Sequence, residues 1–499
     1  MRLRADYRVL AVLAISMVLC LFVAACLFGG YGYLQLRPLP TPTLSFVDSV
    51  RATATAQALE SAARPTATST PSPTPTSTPS PTPEPTATST PEPTEPPEAV
   101  VTTVPPPPQP RPTNTRVPTP TTVPVPPPST SLARGPYLQS VTSNSIIIAW
   151  LTSGEVDSVV EYGPTEAYGS TGADYNWTSR HAITLSDLTP HTVYHYRVRT
   201  SAQALSSDNT FKTAPGPGQT SFTFVVIGNT HAGLHPDEQQ RYWSQADEGH
   251  RAAVGRIMAI NPDFYLHTGD LTCYGYDPEA WDDFFAIEGG IMSRVTMFPT
   301  GGEQDGNSWY GGCPRPDCSR HETYLDTFHL PNRERWYSFD YGNAHFISLW
   351  INGSIEGGAD DISPGSEQYR WLESDLAQTN KTWKFAFFHF PPYSCGPQGS
   401  KSEGQAVHPL FVQYGVDMVF SGHDLNYQRQ VVDGVTYIVT GGAGEKPQQV
   451  SGGCERWPVF KEEVKHVMKI TVTGNTLHSV AIRSDAEGSE MDPFTLTAN

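Results

Sequence analysis

The chain has 499 residues, 47 of them proline, only 16% of them charged, and a net charge of −18. That composition excludes a uniformly packed chain, and the length leaves room for two or three domains. The acidic balance argues against nucleic acid or an anionic lipid surface as partner of the folded part, and by itself serves solubility.

Arg2, Arg4 and Arg8 precede an uncharged apolar run from Val9 to about Leu34, which Arg37 closes. The run is longer than the ~20 residues needed to cross a bilayer. Basic residues ahead of it place that end in the cytoplasm and the rest outside. Residues 1–37 are therefore read as a single-pass cell-membrane anchor with an extracytoplasmic C-terminal part. A lipid anchor is the alternative, because Val23-Ala24-Ala25-Cys26 resembles a bacterial lipoprotein cleavage site with Cys26 acylated. Residues 38–131 repeat Pro, Thr and Ser. Such a tract has too few apolar groups to offset ordering entropy, so it is read as a disordered, semi-rigid polyproline stalk.

Residues 132–215 change character. Ser145-Ile146-Ile147-Ile148-Ala149-Trp150 and Val193-Tyr194-His195-Tyr196-Arg197-Val198 are rich in β-branched and aromatic side chains. Turn signals such as Gly163-Pro164 separate the runs. Short strands with regular breaks predict an all-β sandwich. Between 220 and 499, apolar strands alternate with helix-length segments. Strands are predicted from Phe222 to Ile227, Asp263 to His267, Lys384 to Phe388 and Asp417 to Phe420, and helices from Ala252 to Ile260 and Glu367 to Leu376. The alternation predicts an α/β fold, with β-sheets flanked by helices. From Val431 onward the chain reads as strands and turns.

Five cysteines lie beyond the apolar run, where disulfides persist. Cys313 and Cys318 are close enough to close a small loop, and Cys395 and Cys454 are available for a second bridge, which leaves Cys273 free. Spacing does not fix this pairing.

Polar residues recur just past the predicted strand ends, where α/β folds bind ligands. They are Asn229 and His231, Asp270, then Glu303, Gln304 and Asp305, then His389, then His423. Singly, Asp270 reads as a turn or helix cap, and His389 and His423 as core histidines. Together, carboxylate, amide and imidazole from five strand ends suit Mn, Fe or Zn.

The blocks Gly228-Asn229-Thr230-His231, Gly269-Asp270-Leu271, Gly302-Glu303-Gln304-Asp305, Phe388-His389-Phe390-Pro391-Pro392 and Ser421-Gly422-His423-Asp424-Leu425 occur in that order. The order resembles the calcineurin-like metallophosphoesterase superfamily, and its purple acid phosphatase branch in particular. Residues 132–215 resemble the fibronectin type III-like N-terminal domain of that branch, through Val160-Glu161-Tyr162-Gly163 and Leu188-Thr189-Pro190-His191-Thr192-Val193-Tyr194. The resemblance implies two metals sharing Asp270. One would use Asn229, His231 and the position of Leu425; the other would use Glu303, His389 and His423.

The sequence departs from the family at the site itself. Asn229 replaces an aspartate ligand, Cys273 a tyrosine ligand (Tyr274 is one residue late), Glu303 an asparagine, Gln304 a histidine and Leu425 a histidine. Leucine cannot coordinate and an amide is a weak ligand, so the resemblance with these departures implies one ion of Fe, Mn or Zn rather than two. Gln304 can donate a hydrogen bond but cannot transfer a proton, which removes a general acid ordinarily contributing about 10²–10⁴-fold. His267, His321 and His329 are possible substitutes with an ordinary structural role as the alternative. The expected function is hydrolysis of phosphate esters outside the cell. Asp270, Gln304 and Asn229 would be catalytic, Arg429 would contact phosphate or form a structural salt bridge, and Asp270, Glu303, His389, His423, His231 and Asn229 would hold metal. The competing expectation is a catalytically impaired module kept for binding or scaffolding, since a fold alone does not establish chemistry.

Overall fold

The computed structural model describes residues 130–498, apart from 234–245, 307–320, 333, 354–360, 451–453, 455, 457 and 486. The apolar anchor run, the Pro/Thr/Ser stalk, Cys313 and Cys318 lie outside the described residues. Among the described residues no helix is long and apolar enough to cross a membrane.

Five antiparallel strands form the first domain: β1 (Leu132–Gln139), β2 (Ile146–Gly163), β3 (Ser170–Leu185), β4 (Val193–Arg199) and β5 (Asn209–Lys212). Where a two-layer sandwich was expected, the 18-residue β2 joins all five strands into one hydrogen-bonded sheet. Its first half pairs with β1 and its second half with β4, while β3 follows it throughout. Register shifts between Leu151 and Val156 and between Val156 and Ser158 interrupt the β2–β3 ladder between these two halves. Trp150, Tyr196, Val198 and Phe211 fill the interior.

The second domain opens on β6 (Ser221–Ile227), β7 (Phe264–His267) and β8 (Thr296–Pro299), three parallel strands. Then come β9 (Tyr337–Tyr341), β10 (Ala344–Ser348), β11 (Trp383–Phe387), β12 (Met418–Ser421), β13 (Tyr427–Val432), β14 (Val435–Thr440) and β15 (Phe460–Glu462). The chain ends on β16 (His466–Thr473), β17 (Thr476–Arg483) and β18 (Glu490–Thr497). One sheet runs β18-β17-β16-β6-β7-β8 and the other β15-β13-β14-β12-β11-β10-β9. The helices are α1 (Ala246–Ile260), α2 (Pro278–Met292), α3 (Glu322–Thr327), α4 (Glu367–Gln378), α5 (Ser402–Ala406) and α6 (His408–Tyr414).

An aromatic layer joins the two sheets. The Phe224 ring of β6 stands 5.2 Å from Phe346 of β10 and 5.3 Å from Phe385 of β11, and Phe298 of β8 stacks 3.8 Å from Phe339 of β9. These rings are why β6, β7 and β11 read as continuous apolar runs: both faces of each strand are covered. Truncating Phe224 to alanine would cost about 3–5 kcal/mol. The β domain is tied to the same body by Tyr137 Oη donating to Thr327 O at 3.0 Å and Tyr196 Oη donating to Ser293 O at 2.8 Å. Lys212 pairs with Asp263 at 2.9 Å, and Asp263 in turn accepts the Thr223 N–H at the start of β6.

Candidate metal centre

Each site side chain leaves the chain just past a parallel strand. Asn229 and His231 follow β6, Asp270 follows β7, Glu303 follows β8, His389 follows β11 and His423 follows β12. Asn229, His231, Asp270 and His423 have positive φ of 56°, 47°, 54° and 68°. Such backbone costs on the order of 1–3 kcal/mol per residue and persists only where packing over-determines it. Glycine lets the loops close in: a Cβ on Gly302 would lie 2.1 Å from Asp270 Oδ1, and one on Gly269 would lie 2.7 Å from His389 Nδ1.

Asp270 is the hub. Its Oδ1 accepts the Gln304 backbone N–H at 3.0 Å. Its Oδ2 accepts Asn229 Nδ2 at 3.0 Å and meets His231 Nε2 at 3.0 Å and His389 Nε2 at 3.2 Å. Burial opposes the charge, but the His389 and His231 imidazoles hold this carboxyl well below the usual range.

On one side of Asp270 the donors converge without satisfying one another. Glu303 Oε2 lies 2.8 Å from His389 Nε2, and Glu303 Oε1 lies 2.9 Å from His423 Nδ1. One ligand atom from each of Glu303, His389 and His423 falls within 4.8 Å of the others. Yet Glu303 Oε2, His389 Nε2 and His423 Nε2 are buried and make no hydrogen bond. His389 Nδ1 bonds to Thr268 O at 2.8 Å, which turns Nε2 toward the two carboxylates. A buried polar atom without a partner costs free energy, and a cation among these atoms removes that cost. Carboxylate plus two imidazoles beside a shared aspartate fits Mn, Fe or Zn. The predicted ligands Asp270, Glu303, His389 and His423 therefore come together as one cradle.

On the other side the groups satisfy each other. His231 Nε2 meets Asp270 while its Nδ1 meets Glu445 Oε1 in a short contact. Burial pulls the imidazole down, but the Glu445 and Asp270 carboxylates bring it up to about 10. Asn229 gives its N–H to Asp270, and its Oδ1 accepts the His423 backbone N–H at 2.8 Å. Asn229 and His231, also expected to ligate metal, stand on this side of Asp270 with their polar atoms engaged by neighbouring side chains and backbone. An amide carries a donor as well as an acceptor, and both are taken; both ring nitrogens of His231 face carboxylates. Leu425 is buried and brings no ligand atom.

Gln304 stands beside the cradle, its backbone N–H on Asp270. Asp305 accepts N–H groups of Leu271, Thr272 and Gly302, so it locks the loops carrying Asp270 and Glu303 together. Burial and the Asp270 charge push its carboxyl up to about 7. Cys273 is a free, buried thiol that donates to His231 O, and burial raises its pKa well above the ordinary value. Arg429 realises the structural alternative: Nε and Nη2 both donate to Asp492 at 2.7 Å. His267 bonds Thr230, His321 bonds Gly302 O, and His329 uses its backbone on Gln139 and Ser140. Cys395 and Cys454 form the available disulfide.

Two residues escaped the sequence reading. Glu445 closes on His231 from the loop after β14, and the signal was the run Gly441-Gly442-Ala443-Gly444, where a Cβ on Gly441 or Gly444 would strike Asn229. Lys401 lies with Nζ 5.0 Å from the Phe390 ring centre, and that ring stands 4.4 Å from His423. A lone lysine ahead of a short helix carries no sequence signal of this.

Residues 135–213 match the purple acid phosphatase N-terminal domain, and residues 222–427 match the calcineurin-like phosphoesterases. A protein of Arabidopsis thaliana named probable inactive purple acid phosphatase 27 is 26% identical over 358 residues, 63% of this chain and 57% of its own length. Purple acid phosphatase 22 of the same plant is 26% identical over 298 residues, 55% of this chain and 61% of its own length. The chain thus spans under two thirds of both relatives. The structure of purple acid phosphatase PPD1 from yellow lupin (Lupinus luteus) seeds shares the fold, with a TM-score of 0.61 and 21% identity over 73% of this chain and 74% of that one. The two folded domains thus match, in chain order, the purple acid phosphatase N-terminal domain and the calcineurin-like phosphoesterase domain.

Proposed function

We propose that the chain hydrolyses phosphate esters with a single ion of Mn, Fe or Zn. Asp270, Glu303, His389 and His423 would hold the ion. The observation that carries this reading is that Glu303, His389 and His423 each bring a ligand atom within 4.8 Å of the others, while Glu303 Oε2 and His389 Nε2 are buried without a hydrogen bond. When bound, the ion activates a water and offsets charge on the phosphate. The protein side would do the rest. Asp270 and Glu303 set the charge of the cradle, and Thr268 O orients His389. Lys401 would meet a phosphate oxygen from its place on Phe390. Water oxygen bonds to phosphorus as the ester P–O bond breaks, and the leaving oxygen keeps the electron pair. Gln304 can steady that oxygen with a hydrogen bond but has no proton to give, so esters of weakly basic alcohols are favoured.

The apolar run from Val9 to Leu34 and the following stalk support display of this domain outside the cell membrane, where a phosphate-ester substrate would be met. A second reading is a binding or scaffold module. It is favoured by the self-satisfied Asn229, His231 and Glu445 side and by the relative named as inactive. Elemental analysis of the purified full-length protein, with p-nitrophenyl phosphate turnover in Mn, Fe or Zn, separates the two. About one bound ion and turnover lost in Asp270→Ala is the expected result; no ion and no turnover leaves the module.

A further inference from the structure

Beside the cradle lies a cavity of about 370 Å³. Trp350, Ile351 and Asn352, just past β10, line it together with Ile362 and, from α5, Ala406. It adjoins the cradle through two contacts. Asn352 Nδ2 donates to the carbonyls of Gly301 and Gly302, immediately before Glu303, at 3.2 and 3.4 Å. Gly353 packs so closely on Phe390 that a Cβ would lie 2.7 Å from its ring, and Phe390 in turn abuts His423.

Three features indicate what fills this space. Its buried wall is mostly apolar, which favours an apolar occupant. Trp350 is buried with its Nε1–H unpartnered, while its benzo edge covers Gly301; an occupant with an acceptor atom removes that penalty. The outer lining carries Asp361 and Glu403, whose charges repel a second anionic group. Independently, Gln304 cannot protonate a leaving group, which selects oxygens that depart without a proton.

We infer that this cavity holds the organic part of the substrate and that the substrates are monoesters of aromatic alcohols rather than polyphosphates or sugar phosphates. This rests on the phosphoesterase reading above. The ester P–O bond breaks with its electron pair on the aryl oxygen, which leaves as a phenolate and takes a proton from solvent. Water supplies the new P–O bond and loses its proton to solvent.

The test uses full-length protein, wild type and Ala406→Phe, which fills the cavity without touching the cradle. Turnover is compared for 1-naphthyl phosphate and for acetyl phosphate, which is too small to reach the cavity. Binding of 1-naphthol alone is followed by calorimetry with and without metal. The expected result is saturable naphthol binding that does not need metal and is lost in the variant. The variant should also lose about tenfold or more in kcat/KM for the naphthyl ester and keep that for acetyl phosphate. Absence of naphthol binding, or equal losses for both substrates, overturns the proposal. Naphthol binding without any turnover sinks the phosphoesterase reading and with it the assignment to an ester, though the cavity stands as an apolar-ligand site. Turnover without naphthol binding keeps the phosphoesterase reading and removes the cavity from it. Ile362→Ala, which enlarges the cavity, guards against a misfolded variant: it should still bind naphthol and the naphthyl ester.

Discussion

The two flanks of Asp270 both combine histidine with glutamate, one adding a second histidine and the other an asparagine, and they end in opposite states. On one flank Glu303, His389 and His423 bring ligand atoms within 4.8 Å of one another, and each residue keeps a buried polar atom without a hydrogen bond. On the other, Asn229, His231 and Glu445 pair with Asp270 and with one another until no ligand atom is left over. The contrast teaches that similar ligand types can either be left facing one another or be supplied with internal partners, according to what the neighbouring loops bring. Glu445 returns the negative charge that Asn229 lacks, but delivers it to His231.

The largest effect that separates the flanks is Asp270→Ala. It removes the shared hub, so elemental analysis should find the ion gone and turnover down at least about a hundredfold. Glu303→Gln should weaken the ion's hold as well, because a neutral amide replaces a carboxylate. An ion retained in Asp270→Ala would show that the cradle is not where it binds.

The converse experiment rebuilds the satisfied flank. Asn229→Asp together with Leu425→His restores two ligand types, and the ion count should rise from about one to about two. Should the count stay at one, adding Glu445→Gln tests whether the His231–Glu445 pair is the block. Lys401→Ala asks less: it should raise KM a few-fold with kcat nearly unchanged, as loss of a contact made equally in ground and transition states does. A fall in kcat instead would place Lys401 among groups acting only in the transition state.

How much of this was legible beforehand follows from how local each signal is. The strands carrying Asn229, Asp270, His389 and His423 were readable, because central parallel strands covered on both faces leave an uninterrupted apolar run. The helix from Pro278 to Met292 was passed over, although Asp277 caps it and Pro278 opens it; its apolar content obscured the period. β9 and β10 pair through a tight turn at Gly342 and were likewise missed. Within the site, the residues that come together were readable from the ordered blocks, but their pairing was not. Whether Asn229 offers oxygen to a metal depends on the His423 N–H, 194 residues away. Glu445 reaches His231 across 214 residues. Distances of that kind are set by two sheets closing face to face, and no local pattern records them.

The smallest predicted effect comes from a histidine that repeats the His231 arrangement away from the site. His345 of β10 sits between Asp340 Oδ1 and Asp375 Oδ2, each at 2.8 Å, with Lys381 3.3 Å from Asp340. Burial opposes its charge, but the two carboxylates raise it from 6.5 to about 9. A histidine whose folded value is raised contributes stability that is complete below 6.5 and lost as pH climbs through about 9. His345→Gln does not titrate. Its melting temperature should therefore lie below wild type near pH 6 and converge with it above about pH 9. Half of the Asp340 side chain is exposed, so solvent screening keeps the difference to about 1 kcal/mol or less. A gap between the two melting curves that stays constant across that range would mean that packing of the ring, not its charge, holds β9, β10 and α4 together.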